Sequence, residues 1–454
     1  MRRVMKKTFW TAILILITLC NDTVAQVKKW TLEDCISYAV TNNIELQRQK
    51  LQTETAKTNL LQSKMELMPS LNLGSDARVG FGRSIDPVTN LITFKQNIGN
   101  SYSLFSSIQV FNGFATLNTI AANKFMLLPG LETEKINRNT LIISIMGQFY
   151  QVLYSQGLEN ASKMQLDLSE KQLFRMVKMV ETGREAMSRQ YEMESQVSAD
   201  KLAYTVAQNS TSQAVTTLKQ MLQIEPGTPL DILMPDLNGM LIFDNKFNTD
   251  SIYHIASQTL PRLKAIDYEL KASVKQIAAA KGNITPKLSV GGGIYTGYYK
   301  VISEGADGQL PFSNQLKNNN SQAVFFSLEI PLFNNYTTGR NLKLAKIRKT
   351  DNELKLELEK NNLYTEIENA SLNYNRGKDE FKAAEANLEF NRKSFTAVEK
   401  KFESGLVDVT DYAAAKTSLF AAEAEAIRTK LQLFIRKLTI QFYTTGEYEH
   451  NIIN

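Results

Sequence analysis

The chain has 454 residues, 22% of them charged, and a formal net charge of +6. That is globular composition, long enough for several ordinary domains, with too little net charge for a nucleic-acid footprint. Two histidines and two cysteines leave little material for metal or redox chemistry.

Arg2, Arg3, Lys6 and Lys7 form a basic start, Phe9 to Leu19 an apolar run, and Thr23-Val24-Ala25 a small-x-small cleavage site. Residues 1–25 are therefore predicted to be a secretory signal peptide, since the apolar run is too short to span a bilayer as a helix. Its cleavage removes four basic residues and Asp22. Cys20 leaves with it, and Leu19 is a poor match to a lipoprotein site, so no N-terminal lipid is expected. Cys35 then stands alone, inside a helical pattern, which predicts a core thiol and no intrachain disulfide. No later run of about 18 apolar residues predicts a transmembrane helix. An exported chain of this kind is periplasmic, secreted or a β-barrel.

The mature sequence reads as two repeats, 26–249 and 250–445, followed by a tail at 446–454. The first opens with WTLEDCISYAVTNNIEL, in which Thr31 and Asp34 have capping-box spacing and a helical pattern runs to Met68. The second opens near Asp250, and its helix ends before Pro286. Each helix is followed by alternation of period two. The predicted strands are about 70–81, 101–111, 287–299 and 321–333, with polar loops at roughly 82–100 and 300–320. Leu71, Leu73, Ala77 and Val79 share one face of the first strand; Tyr102, Leu104 and Ile108 do so in the second. Leu288, Val290, Ile294 and Tyr298 follow in the third, and Val324, Phe326 and Leu328 in the fourth. Polar residues occupy the opposite faces.

Long helical patterns follow each strand pair, at about 114–182 and 337–404. Some 68 residues at 1.5 Å each make a rod of roughly 100 Å. Pro129-Gly130 predicts a bend or short break in the first. Each rod stops at a glycine, Gly183 or Gly405, and a shorter helix returns. In the last helix Tyr412, Leu419, Ala426, Leu433 and Ile440 repeat every seven residues, with Ala415, Ala422 and Thr429 beside them. Strict sevens predict supercoiled helix pairs, and small residues allow close approach.

Strands of this length and pattern suit a tilted transmembrane β-barrel. Four strands cannot close one, and open edges are not tolerated in lipid. Several chains must then share the barrel, three giving twelve strands and two giving eight.

In WTLEDCISYAVTNNIEL, the paired PSLNLG and PKLSVG, VFNGF with LFNNY, and the hairpin sequences TGREAMSRQ and ESGLVDVTDY, the chain resembles the TolC family of outer-membrane efflux proteins. The likeness covers essentially the whole mature length and rests on the duplicated order of the motifs. It implies a protein that is mainly α with a small β part. It implies a homotrimer, with a twelve-stranded barrel in outer-membrane lipid and a twelve-helix tunnel through the periplasm. Residues 225–250 and the tail would form a belt around the tunnel. Members are passive exit ducts, so an inner-membrane pump and a periplasmic adaptor are the implied partners. The adaptor would meet the hairpin tips at Gly183, Arg184, Gly405, Leu406 and Val407. The family's periplasmic gate is often acidic. Alignment from Gly405 puts Asp411 at one such position and Ala414 at the second, where Asp408 would substitute. The plain alternative is that both aspartates favour a helix N-terminus.

No HExxH, paired CxxC, phosphate loop or nucleophile elbow occurs, so neither an enzyme nor a cofactor is expected. The rival reading is a periplasmic coiled-coil scaffold or adaptor without a pore, which leaves the four paired amphipathic strands unexplained.

Overall fold

The structure, a computed structural model, describes residues 29–85, 90–225, 227–234, 247–302 and 310–445. The predicted signal peptide, the tail and half of the expected belt segment 225–250 lie outside them.

Each half opens with the same two helices. Leu32–Asn42 and Ile44–Met65 have 11 and 22 residues, as do Thr249–Thr259 and Pro261–Gly282. The sequence predicts one helix in each place, and the structure has two. Asn43, at ψ 122°, leaves the helical region in the first half. In the second, Leu260 is extended at ψ 131° because Pro261 follows it. The proline then starts the next helix, where its missing N–H is no loss. Thr31 and Asp34 close their capping box, each side chain accepting the other's backbone N–H at 3.1 Å.

Four strands, Ser70–Gly80, Gln96–Phe111, Lys287–Ile302 and Ser321–Glu329, form one antiparallel sheet in that order. The second begins earlier than predicted, because polar Gln96–Asn100 still pairs with the third strand. The fourth ends earlier, at Glu329, two residues before Pro331, which has no ladder donor. Register aligns Leu73 with Leu104 and Ile294, and Ile108 with Val290 and Phe326. All four apolar stripes thus fall on one face of the sheet. Much of that face is bare, with Leu73 80% and Phe326 75% exposed, while Phe312 packs against Tyr102 and Tyr298 toward one end. The other face carries Asp76, Arg78, Ser101 and Ser103, together with Phe105 stacked on Phe325 at 5.4 Å. Gly291 lies beneath Phe325, where an added Cβ would meet the ring at 2.4 Å.

The third strand outruns the fourth. Along the surplus, the short helix Phe312–Asn318 takes the place of a strand. Gln315 accepts the Tyr299 N–H at 2.9 Å and donates to the Tyr299 carbonyl at 3.0 Å, while Asn319 donates to the Gly297 carbonyl at 2.7 Å. The sequence, read as a polar loop, did not predict this helix.

VFNGF and LFNNY are one joint written twice. Gly113 and Phe114 have φ near +60°, as do Asn335 and Tyr336. Asn112 donates to Thr116 Oγ1 at 2.7 Å, and Asn334 donates to Thr338 in the same way. The turn redirects strand into helix, and asparagine tolerates the left-handed conformation where glycine is absent.

The long helices are Ala115–Glu181 and Thr337–Glu403, 67 residues each, and the returns are Met187–Leu222 and Val409–Thr445. Where a bend or short break was expected at Pro129 there is no break, as the helix runs through it. At Gly130 an added Cβ would lie 3.3 Å from the Thr53 hydroxyl, so the glycine allows close approach.

The described residues form two compact units: those up to 47 with those of 137–256 and from 364 onward, and those of 48–136 with those of 257–363. The first has two apolar clusters. One gathers Leu32, Cys35 and Ala39 against Ile145, Phe149, Val152, Leu218 and Phe434. Trp30 and Ile232 join it through a short parallel pair, residues 29–30 with 231–232. Cys35 is fully buried, the core position its sequence context predicts. The heptad residues Tyr412, Leu419, Ala426, Leu433 and Ile440 are all buried, with Ala422 and Thr429 beside them. The second unit holds the four-stranded sheet and its flanking helix segments.

Candidate functional site

The two hairpin tips close identically. Arg184 N–H reaches the Met179 carbonyl at 2.8 Å and Gly183 N–H reaches Val180 at 3.0 Å. Leu406 to Lys401 at 2.9 Å and Gly405 to Phe402 at 3.0 Å repeat the pattern. This is a Schellman closure, which requires a left-handed residue just past the helix. Gly183 and Gly405 supply it at φ +70° and +72°. Nothing lies within 4 Å of the Cβ either would carry. These glycines are therefore demanded by backbone conformation and not by crowding.

Beyond the closures the tips differ. Leu406 is 75% exposed, and Val407 turns inward against an apolar cluster. Asp408 precedes the return helix, and its carboxylate accepts the Asp411 N–H at 2.8 Å. It is therefore an N-cap. The other return helix follows Ala186, which offers no side-chain acceptor. There Arg184 is exposed and Glu185 faces Arg189 at 3.6 Å. Asp408 and Asp411 are both exposed, close together on one turn.

Behind the tips lies the second cluster of this unit. Tyr412 is fully buried between Phe402, stacked at 4.6 Å, and Phe395 at 5.7 Å, with Met176 and Met193 from the other hairpin. The Tyr412 hydroxyl has no hydrogen-bond partner among the described residues. Burial, aided by Glu399 and Asp200, pushes its pKa up. Arg175 pairs with Glu403 at the rim of the cluster.

Next to this apolar layer is a charged group that the sequence reading did not single out. Lys416 is 1% exposed, and its Nζ donates to both Asp200 Oδ2 and Ser169 Oγ. Ser169, fully buried, donates to the same Asp200 oxygen, and Gln196 donates to the other at 3.1 Å. Three helices contribute one residue each: Ser169 and Asp200 from the two arms of the first hairpin, Lys416 from the return arm of the second. Burial lowers the Lys416 pKa and the Asp200 carboxylate opposes the shift. The spacing held a signal, since Lys416 falls four residues after Tyr412 and three before Leu419, on the heptad stripe itself.

Among the described residues no cluster of His, Cys, Asp or Glu is placed to hold a metal ion, and no helix is long and apolar enough to cross a membrane.

The family described as outer membrane efflux protein matches residues 252–446, the second repeat. No curated protein matches the sequence. Among solved structures, the outer membrane channel CmeC of Campylobacter jejuni is similar with a TM-score of 0.77 at 14% identity, over 93% of this chain and 87% of that one. The outer membrane protein VceC of Vibrio cholerae gives 0.75 at 13% identity, over 92% and 97%. CusC, described by its transmembrane channel formation, gives 0.75 at 16% identity, over 92% and 95%.

Proposed function

We propose, from the premise that residues 252–446 belong to the outer membrane efflux proteins and that the described chain has the TolC-like fold, that this protein is an exit duct of the outer membrane. Three copies close a twelve-stranded barrel, the free edge of Ser321–Glu329 pairing with the free edge of Ser70–Gly80 in the next copy. The observation that carries this reading is the sheet: one largely bare apolar face, a polar opposite face and two outer strands each paired on one side only. A face of that kind in water is an aggregation hazard, and in lipid it is the required surface. The polar face then lines a wet lumen.

The duct is passive. An inner-membrane pump supplies the energy, and a periplasmic adaptor docks on the tips at Gly183, Arg184, Gly405, Leu406 and Val407. The exposed Leu406 beside a rigid closure supports that assignment, because it presents an apolar anchor at little entropic cost. Asp408 and Asp411 are the gate candidates: their threefold repetition in a narrow opening would attract cations and repel anions. Capping by Asp408 uses one carboxylate oxygen and leaves its charge in place. Cargo passing through is of the small-molecule or polypeptide class.

The test is the oligomeric mass of the protein extracted from outer membranes in detergent. Three copies support the duct. A monomer in the soluble fraction sinks it and leaves the scaffold, which the heptad seams favour but the bare sheet does not.

A further inference from the structure

We infer that Lys416 is a positioning residue: it keys the register of the two helical hairpins, and so fixes how the two tips are presented side by side. The inference rests on the duct reading for its consequence, export, but not for its geometry.

The seam around Lys416 is built from Leu, Phe, Met, Val and Ala with Tyr412, whose hydroxyl makes no hydrogen bond among the described residues. Apolar side chains of similar size tolerate sliding by a whole heptad, because one layer resembles the next. A buried ammonium does not, since it needs a counter-charge at one height. In the observed register Lys416 meets Ser169 and Asp200. Shift the first hairpin by seven residues one way, and Ser162 and Ala207 stand there instead. Shift it the other way, and Met176 and Met193 do. Neither layer holds a carboxylate. Gln196 and Ser169 fill further hydrogen-bonding positions of Asp200, so the cluster is satisfied in this register and in neither neighbour.

Position adds to the argument. Lys416 belongs to the return arm that starts at the 404–408 tip, while Ser169 and Asp200 lie on both arms of the other hairpin. One side chain thus ties the second hairpin to the first at a fixed height behind both tips. Between the tie and the tips lie Met176, Met193, Phe402 and Tyr412, which have no hydrogen-bonding partners to set a register, and the Arg175–Glu403 pair, whose solvent-exposed side chains make it a weak one.

The experiment separates register from stability. Replacing both charges by apolar residues, Lys416→Met with Asp200→Leu, removes the key without stranding a charge, and such exchanges are commonly tolerated or stabilising. The readout is a short bismaleimide cross-link between Arg175→Cys and Glu403→Cys, whose native side chains touch across the hairpins, in a Cys35→Ala background. The wild-type key is expected to give near-complete cross-linking. The apolar pair should assemble normally, yet cross-link at least about fivefold less and lose export to a similar degree. Lys416→Arg should retain both. Unchanged cross-linking and export in the apolar pair would overturn the inference. If that pair does not fold, the reversed pair Lys416→Asp with Asp200→Lys decides: restored cross-linking supports the key, and its failure rejects it. If the wild-type chain supports no export while the cross-links behave as stated, the duct reading fails and the register key stands.

Discussion

The two helical hairpins share their arm lengths and their closing turn, and they differ at the next residue. After Gly405 the chain reaches Asp408, which caps the return helix; after Gly183 it reaches Ala186, which caps nothing. A helix start leaves four N–H groups without intrahelical partners. The second hairpin satisfies one with a side chain and places Asp411 in the first turn, where negative charge is favoured. The first has Arg189 in the corresponding turn, paired to Glu185. Duplication therefore preserved what backbone geometry demands and left the start of each return helix free to diverge. The capped, acidic tip is the one with the exposed Leu406.

The sharpest way to break this comparison is bulk at the tips. Gly405→Trp should abolish export while leaving assembly intact, because the space around the glycine is open and only the φ of +72° resists. Gly183→Trp should have the smaller effect, so equal loss in drug-sensitivity assays would erase the distinction between the tips. Asp411→Ala should weaken block of single-channel current by divalent or trivalent cations several-fold; unaltered block would remove Asp411 from the gate. Exchanging the caps tests the helix starts alone. Asp408→Ala should cost about 1 kcal/mol, and Ala186→Asp should gain up to about the same. Amide hydrogen exchange in the first turns of the two return helices would register opposite changes.

Tyr412→Phe should be the mildest near neutral pH, neutral or slightly stabilising, since the hydroxyl it removes has no partner. It should matter more in alkali. A tyrosine whose folded pKa is raised binds its proton more tightly than the unfolded chain does. Its contribution is full below the unfolded pKa, about 10, and is lost as pH rises above it. Alkaline melts of wild type and Tyr412→Phe should therefore diverge above about pH 10, with the variant the less sensitive.

What was legible in the sequence is what local chemistry dictates. The Thr31 box, the tip glycines and the period-two stripes announce themselves because neighbours in sequence enforce them. The break at Asn43 was hidden, because helical periodicity continues across it and only ψ changes, whereas the one at Leu260 was legible in Pro261 and was overlooked. Gln96–Asn100 read as loop, and its strand is held on both sides, by Ala77–Gly80 nearby and by Tyr298–Ile302 from far along the chain. Lys416 was the largest omission. A lysine among lysines on long helices reads as solvated, and its burial depends on Asp200 and Ser169, which sit on two other helices. The stripe position was visible, and the partner was not.

Gln315 does for a sheet edge what Asp408 does for a helix start. Its amide, with that of Asn319, occupies both outward backbone groups of Tyr299 and the carbonyl of Gly297. Beyond Tyr295 the third strand therefore offers those groups to no further chain. Growth by strand addition is left to the two outermost strands, one at each side of the sheet. Chains joined through such edges extend in a single line, which can close on itself but has no place to branch.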